Sequence, residues 1–310
     1  MSKRQSQSIR RKLWIRKIAG TLLLLVSIPT LRKANGTETQ QIQIPDGLDW
    51  EPVDIEGIHG EWLSPPGAPT DAVIIHFHGG GGVLGLNNSV RSMVGYLALE
   101  SNLRALLPDY RLAPEHPYPA GLDDCLSTYR WLLFRGYAPQ RIVMAGDSEG
   151  GHIMLSALLR LRDAGLPLPA AAIGISPNTD PTCSGESMRF NALRDAVLSP
   201  IFARRMMHHY VGGHSLDDPY LSPLIADLHN FPPILIQAGA DEILLDDSRH
   251  FADCARTAGV DLTLEIWPNM WHCWHYWVPE LPEANQAIEH IARYLHSLKV
   301  NPSPTRQQVA

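Results

Sequence analysis

The sequence predicts an α/β protein with a mostly parallel central sheet and helices on both faces. From residue 42 onward, short apolar runs typical of buried strands alternate with longer stretches in which apolar residues recur at helical spacing. The chain has 310 residues, of which 45% are hydrophobic and 19% charged. This length and composition fit one large domain with a modest insertion, and they exclude global disorder.

Seven strands and five helices are predicted from this alternation. The strands are 53–62, 72–77, 104–108, 141–145, 170–176, 233–238 and 260–267. The helices are 90–100, 121–134, 151–164, 244–258 and 282–298. The polar segment 178–231, rich in Arg, His and Asp, breaks the alternation and is interpreted as an inserted cap on a catalytic domain that spans 41–300. Residues 301–310 are expected to be a frayed tail.

Residues 1–40 are predicted to form a separate N-terminal segment. Basic residues precede an apolar run from Ile18 to Pro29, an order typical of a secretory signal peptide or a membrane anchor. The run is shorter than the roughly 20 residues of a membrane span. Arg10-Arg11 also has the order of a twin-arginine export signal. Export or membrane association is favoured; in the cytoplasmic alternative, residues Leu13 to Leu31 form an amphipathic helix over the active-site mouth.

Charge and cysteine content narrow the functional classes. The formal net charge is −6, and many of the basic residues gather at the N-terminus, so nucleic acid is not an expected partner. The four cysteines are scattered, with neither C-x-x-C spacing nor the density of a disulfide scaffold, and they leave the redox compartment open. Assembly into a homo-oligomer also stays open.

The segment Gly146-Asp147-Ser148-Glu149-Gly150 carries the strongest functional signal. It follows an apolar strand and precedes a helical pattern. A serine on such a sharp turn exposes its hydroxyl above the sheet edge, and small neighbours let the turn close. Ser148 is therefore predicted to be a covalent nucleophile, and an ordinary glycine-rich turn is the alternative.

A glycine run, Gly79 to Gly82, follows the strand that ends at Phe77. Glycines let backbone N–H groups face a ligand with no side chain in the way. We predict an oxyanion hole in which the N–H groups of Gly79, Gly80 and Glu149 stabilise charge on a carbonyl oxygen. The alternative, a phosphate-binding loop, lacks the G-x-x-x-x-G-K-[ST] pattern and a G-x-G-x-x-G that opens a helix.

A carboxylate is expected at the end of a late strand, between the serine and the histidine in chain order. Asp241, after the strand at 233–238, is the candidate. Asp246 and Asp247 lie a turn or more into the following helix and are interpreted as a solvated or helix-capping face.

The loop after the last strand supplies the predicted base. His272 is expected to take the Ser148 proton and deliver one to the leaving group, while Asp241 fixes its tautomer. His275, three residues later, is the competing candidate. Two histidine pairs invite a metal site: His76/His78 and His208/His209. Neither pair has a carboxylate and a third ligand at metal-site spacing, so no metal is predicted.

In this order the motifs resemble the α/β-hydrolases of the hormone-sensitive-lipase-like group, the bacterial family IV esterases. The resemblance covers roughly 53–298. Its motifs are His78-Gly79-Gly80-Gly81 (HGGG), Asp109 to Glu115 (DYRLAPE) with Pro117 to Ala120, and Gly146 to Gly151 (GDSAGG except at Glu149). It implies the α/β-hydrolase fold with a small helical cap, and Asp241 and His272 fall where the family keeps its acid and base.

Three positions depart from the family pattern. Glu149 replaces the usual Ala after the nucleophile; its N–H can still donate, but a negative charge near a developing oxyanion would oppose catalysis. Gly82 stands where the family usually has an aromatic residue, which is expected to widen the pocket. Cys273 replaces a customary Gly after the histidine. These departures bear on substrate range more than on reaction type.

The resemblance implies a small-molecule ester or lactone substrate and no cofactor. We expect hydrolysis of short- to medium-chain acyl esters through a covalent Ser148 ester, with aromatic residues near His272 lining part of the pocket. Lactone, amide and carbamate hydrolysis use the same machinery and stay open. A non-catalytic binding protein, as among the gibberellin receptors, is the rival from another class. The presence of serine, acid and histidine disfavours it.

Overall fold

A computed structural model of the chain describes residues 7–13, 26–298 and 300. Residues 18–25 of the predicted apolar run lie outside the described residues. The predicted tail at 301–310 also lies outside them. Among the described residues, no helix combines the length and apolar character needed to span a bilayer.

The predicted fold class is confirmed: eight strands form one sheet with helices on both faces. The strands are β1 (Asp49–Ile55), β2 (Ile58–Ser64), β3 (Val73–Phe77), β4 (Arg104–Pro108), β5 (Ile142–Asp147), β6 (Ala171–Ile175), β7 (Ile234–Gly239) and β8 (Leu262–Trp267). Their order across the sheet is β1-β2-β4-β3-β5-β6-β7-β8. The pairs β1/β2 and β2/β4 are antiparallel, and all the others are parallel.

The helices, in chain order, are α1 (Ile28–Thr39), α2 (Asn88–Ser101), α3 (Ala120–Phe134), α4 (Glu149–Asp163), α5 (Ser187–Phe190), α6 (Pro200–Val211), α7 (Leu245–Thr257) and α8 (Pro282–Ser297). Short 3-10 turns lie at Pro139–Arg141, Pro223–Ile225 and Trp274–Trp277. The five predicted helices are present, with bounds shifted by one or two residues. Helices α1, α5 and α6 were not predicted individually: α1 lies in the segment interpreted as an export signal or anchor, and α5 and α6 lie in the segment interpreted as a cap.

The predicted strand 53–62 is wrong as a single element. The chain reverses at Glu56-Gly57, both with positive φ (53° and 92°), and β1 and β2 form a hairpin. Glycine adopts this backbone conformation without the steric strain that a side chain adds, so Gly57 allows the tight reversal at little cost in free energy. The alternation of apolar residues continues through the turn and hides it from a reading by periodicity.

Two apolar layers hold the sheet between the helices. All the residues of β3, β5, β6 and β7 are buried, as expected for parallel strands covered on both faces. One layer joins the sheet to α3, α4 and α7, and the other joins it to α2 and α8. Strand β5 is therefore central, and its carboxyl end opens at the edge of the sheet where ligands bind in open α/β folds.

Candidate active site

Ser148 lies on the sharp turn between β5 and α4. Its backbone has φ 52° and ψ −118°, and its N–H donates to the carbonyl of Ile175 at 2.9 Å. A Cβ at Gly150 would lie 1.9 Å from the carbonyl oxygen of Phe77, and one at Gly146 would lie 2.3 Å from that of Gly150. Only glycine fits at both places, so the two glycines of the motif allow the strained turn to form.

His272 reaches the serine from the loop after β8. Its Nε2 lies 2.9 Å from Ser148 Oγ, and the imidazole is buried. His275 does not join them, because its Nε2 contacts Oε1 of Gln237 at 2.8 Å inside the core. Burial lowers the pKa of His275 to about 3, so this competing candidate is a neutral, structural histidine.

The carboxylate next to His272 belongs to Glu242 and not to the predicted Asp241. Glu242 Oε2 lies 3.6 Å from His272 Nδ1, slightly longer than a hydrogen bond. Such contacts often shorten when substrate binds. Ser176 Oγ donates to the same oxygen at 2.6 Å and holds the carboxylate in place.

Asp241 instead forms salt bridges away from the histidine. Its two oxygens lie 2.6 Å from Arg10 and 3.2 Å from Arg194. After β7 the backbone turns, and the N–H of Glu242 donates to the carbonyl of Gly239. Within this turn the adjacent side chains take different directions, one toward Arg10 and the other toward His272. Both acids follow β7, and the structure brings Glu242 rather than the predicted Asp241 to His272.

Electrostatics allow Glu242 to stabilise positive charge when His272 gains a proton. Burial lowers the pKa of the His272 imidazole, whereas Cys273 and then Glu242 raise it above its ordinary value. Burial also raises the pKa of the Cys273 thiol to about 11, so this neighbour is uncharged at neutral pH. The negative charge that favours the imidazolium therefore comes from Glu242. Burial raises the pKa of Glu242, whereas contact with His272 and Ser176 favours its ionised form.

The glycine run after β3 lines the same cavity as Ser148 and His272. Gly80 has φ +118°, and its carbonyl accepts from the N–H of Leu84 at 2.9 Å. A Cβ at Gly79 would lie 2.2 Å from Asp147 Oδ2. The backbone of the glycine run therefore packs directly on the elbow.

Asp147 ties three parts of the site together. It is fully buried; its Oδ1 lies 2.8 Å from His76 Nε2, and its Oδ2 accepts from the hydroxyl of Tyr276. His76 precedes the glycine run, and Tyr276 follows His272 in its loop. These contacts lower the pKa of Asp147, although burial works against them. Asp147 is thus an anion that holds the glycine run and the histidine loop on the elbow.

Replacing Gly80 with alanine is expected to lower kcat for ester hydrolysis by about 10²- to 10³-fold, as for loss of one oxyanion donor. The new Cβ would lie 2.6 Å from the carbonyl oxygen of Leu84, on backbone that an L-residue rarely adopts. The control is Gly85→Ala, whose Cβ would make an ordinary contact of 3.5 Å with Leu112. Steady-state kinetics measure kcat of both variants. An equal kcat for Gly80→Ala and Gly85→Ala would contradict this role for Gly80.

The substrate cavity has a volume of about 200 Å³. Its walls away from the nucleophile are largely apolar and come from the cap segment 178–231: Cys183, Val197, Leu198, Phe202, Ala203, Met206 and Met207. Asn35 of α1 also lines it, so part of the predicted N-terminal segment contributes to the site. Arg32 holds α1 there through hydrogen bonds to the carbonyls of Val83 and Ala113, both 2.7 Å, and a salt bridge to Glu115.

The expected widening of the pocket at Gly82 is wrong. A Cβ on Gly82 would lie 2.4 Å from the ring of Tyr210, a buried residue of α6. The space beside the glycine run is therefore filled by an aromatic side chain from the cap.

The interpretation of Asp247 as part of a solvated or helix-capping face also changes. Asp247 is buried and accepts hydrogen bonds from the N–H groups of Thr179 and Asp180, both at 3.0 Å.

Glu149, next to the nucleophile, is 1% exposed. Its Oε2 accepts from Nδ2 of Asn178 at 2.9 Å, while the backbone N–H of Asn178 donates to the carbonyl of Ser148 at 3.1 Å. No signal in the sequence marked Asn178 or Tyr210, because both come from segments distant along the chain. The missed Glu242 did carry one signal, since it is an acid directly after the Asp that was chosen.

Comparisons with known proteins agree with this geometry. A family model described as alpha/beta hydrolase fold matches residues 74–276, which contain Ser148, Glu242 and His272. An acetyl-hydrolase of Streptomyces hygroscopicus is 40% identical over 238 residues, 76% of this chain and 79% of that protein. An esterase of Acinetobacter venetianus is 37% identical over 251 residues, 81% and 82% of the two chains.

Solved structures are similar over almost the whole chain. The crystal structure of EstE5 soaked with p-nitrophenyl butyrate has a TM-score of 0.90 and 40% identity, and the match covers 95% of this chain and 98% of that one. An esterase from the bacterial hormone-sensitive lipase family has a TM-score of 0.90 and 36% identity, with 96% and 99% covered.

Proposed function

Because the chain belongs to the hormone-sensitive-lipase-like group of the α/β-hydrolase family and is a carboxylesterase-type serine hydrolase, we propose that it hydrolyses short-chain acyl esters through Ser148, His272 and Glu242. One observation carries this proposal. Ser148 Oγ and His272 Nε2 lie 2.9 Å apart beside a cavity, with a buried carboxylate near the other imidazole nitrogen.

In the first half of the reaction, His272 Nε2 accepts the Ser148 proton as Oγ attacks the ester carbonyl. The N–H groups of Gly79, Gly80 and Glu149 stabilise the oxyanion that forms. The carbonyl then re-forms, the bond to the alcohol oxygen breaks, and His272 gives the proton to the departing alcohol. The product of this half is an acyl group esterified to Ser148.

In the second half, water replaces the alcohol. His272 removes a proton from the water, the hydroxide oxygen attacks the acyl carbonyl, and the same N–H groups stabilise the second oxyanion. Collapse releases the carboxylic acid, and the proton returns to Ser148 Oγ. Throughout, Glu242 orients the imidazole and stabilises the imidazolium, a role in which the carboxylate itself stays unprotonated.

The size of the cavity favours short acyl groups. Its volume of about 200 Å³ is below the roughly 300 Å³ of the smallest usual pockets for drug-sized ligands. An acetyl or butyryl group is small enough for a cavity of this size, whereas a palmitoyl chain is far longer. The name of the Streptomyces relative, an acetyl-hydrolase, supports the same preference.

The test is hydrolysis of the p-nitrophenyl esters of acetate, butyrate, octanoate and palmitate by the full chain. We expect the highest kcat/KM for acetate or butyrate, at least about tenfold less for octanoate, and no measurable turnover of palmitate, because longer chains leave methylene groups outside the cavity. A preference for palmitate would contradict the proposed acyl length. If none of the four esters were hydrolysed but a lactone or an anilide were, the ester assignment would be wrong and the chain would be assigned as a lactone or amide hydrolase.

A further inference from the structure

The carboxyl group of Glu149 lies buried directly beside the nucleophile. Its Oε2 has a partner in Asn178, but Oε1 has no hydrogen-bond partner among the residues that the structure describes. The nitrogen Nε2 of His152 is 3.9 Å from Oε1, too far for a hydrogen bond. A buried carboxylate with one oxygen unpaired is costly, whereas the neutral acid is tolerated more easily.

No cation compensates Glu149 within the described elements that pack on it. On its own helix α4, His152 is neutral, since burial lowers its pKa to about 3. Tyr210 of α6 and Tyr110 after β4 have pKa values raised well above the ordinary value by burial, so both are neutral. Asp247 of α7 is an acid whose own charge would oppose a second one.

The segment from Asn178 to Cys183 faces Glu149 from the remaining side. Asp180 there is an acid, and burial raises the pKa of Cys183 to about 12, so this segment also lacks a positive charge toward Glu149. His272, the base of the site, contacts Ser148 and pairs with Glu242. Arg204 of α6 is the cation beside this segment, and it donates to the carbonyl of Cys183 at 3.4 Å rather than to Glu149. The described groups that face the Glu149 carboxyl group are therefore neutral or acidic.

We propose that Glu149 acts on catalysis as a neutral carboxylic acid, and that its ionisation in alkaline solution switches off the attack by Ser148. This inference rests on the proposed ester hydrolysis. The residue that supplies one oxyanion N–H also carries this carboxyl group, so a charge on it would lie close to the oxyanion. Hydroxide removes the proton and forms water, and no proton passes from Glu149 to the substrate.

The expected size of the effect follows from Coulomb repulsion. Glu149 lines the same cavity as Ser148. Two negative charges a few ångströms apart in surroundings of intermediate dielectric constant oppose each other enough to lower kcat roughly 10- to 100-fold. The neutral acid avoids this repulsion at physiological pH, because burial raises the pKa of Glu149 to about 8. Asn178 also connects Glu149 to the backbone of Ser148, since it donates hydrogen bonds to both the carboxyl group of Glu149 and the carbonyl of Ser148.

The decisive measurement is the pH dependence of kcat/KM between pH 6 and 10 for the full chain and three variants, with ethyl butyrate as substrate in a pH-stat. We expect kcat/KM of the wild type to fall 10- to 100-fold as the pH rises through about 8, which gives the profile an alkaline limb. In Glu149→Gln and Glu149→Ala, kcat/KM should not fall between pH 7 and 10, whatever its value at pH 7, because neither side chain can ionise. Glu289→Gln, which alters an exposed acid on α8, is the matched control and should retain the limb.

Two results would overturn the inference: a wild-type profile that is flat to pH 10, or a limb that persists unchanged in Glu149→Gln. Circular dichroism at each pH separates alkaline unfolding from loss of catalysis. Infrared difference spectra supply a second readout. In the wild-type spectrum minus the Glu149→Gln spectrum, the carbonyl band of a protonated carboxylic acid should be present at pH 7 and vanish above the limb. Taking this difference removes the contribution of Asp247, whose pKa burial also raises, to about 7.

Failure of the inference and failure of the proposed function have different signatures. If the wild type hydrolyses ethyl butyrate with a flat profile, the ester assignment stands and the role of Glu149 is wrong. If the wild type hydrolyses no ester at any pH, the proposed function is wrong and the inference falls with it.

Discussion

Replacing Ser148 with alanine is expected to lower kcat for short-chain esters about 10⁶-fold, the size seen when a serine hydrolase loses its nucleophile. Without Oγ no acyl-enzyme forms, and His272 has no hydroxyl to deprotonate at 2.9 Å. What remains is slow attack by water, helped by the oxyanion hole and by binding. Steady-state and single-turnover kinetics with p-nitrophenyl butyrate measure the loss.

The control for this variant is Ser156→Ala, on the helix that follows Ser148. Ser156 is buried and lies two turns after the nucleophile on α4, so its replacement tests for nonspecific damage to the helix. We expect it to retain ordinary activity. Mass spectrometry of an acid-quenched reaction should show an acyl adduct on the wild type and none on Ser148→Ala. Equal turnover by wild type and Ser148→Ala would exclude the covalent mechanism.

Replacing Glu242 with glutamine is expected to lower kcat about 10⁴-fold, with little change in KM. The amide fills the same space near His272 Nδ1 but carries no charge, and it can hold the imidazole in the wrong tautomer. The imidazolium that forms during attack then has no counter-charge in a buried site, which raises the barrier.

Asp241→Asn is the matched comparison, since it changes the adjacent acid in the same way. Its carboxylate pairs with Arg10 and Arg194, of which Arg194 is largely exposed, so loss of the charge should change kcat by only a few-fold. If instead Asp241→Asn were the inactive variant and Glu242→Gln the active one, the acid would be Asp241, as the family pattern implied. Parallel kcat and KM measurements on both variants decide between them.

How far the site could be predicted depends on whether each feature is local in sequence. The elbow around Ser148 and the glycine run were predictable because the backbone itself demands glycine there, and each motif adjoins a recognisable strand. The loop position of His272 followed from its place after the last strand. Helices α2, α3, α4, α7 and α8 were predictable because their apolar faces repeat at helical spacing.

The failures have a common physical origin in the direction of side chains. Asp241 and Glu242 have the same chemistry and adjacent positions, so only the turn after β7 distinguishes them. The space beside Gly82 looked open because the ring that fills it, that of Tyr210, lies about 130 residues further along the chain. The β1/β2 hairpin was missed because apolar alternation continues through its turn.

The sequence by itself determined the α/β-hydrolase fold, the serine at the elbow and the histidine that contacts it, since these depend on short-range backbone chemistry and on periodic burial. Tertiary structure alone decided which carboxylate faces His272, that α1 and α6 close the cavity, and that Glu149 is buried without a cation. Each of these depends on which distant side chains share a small, poorly hydrated space. Which of these side chains pair, and whether they carry a charge, depends on the groups that surround them in the folded protein and not on any one segment of sequence.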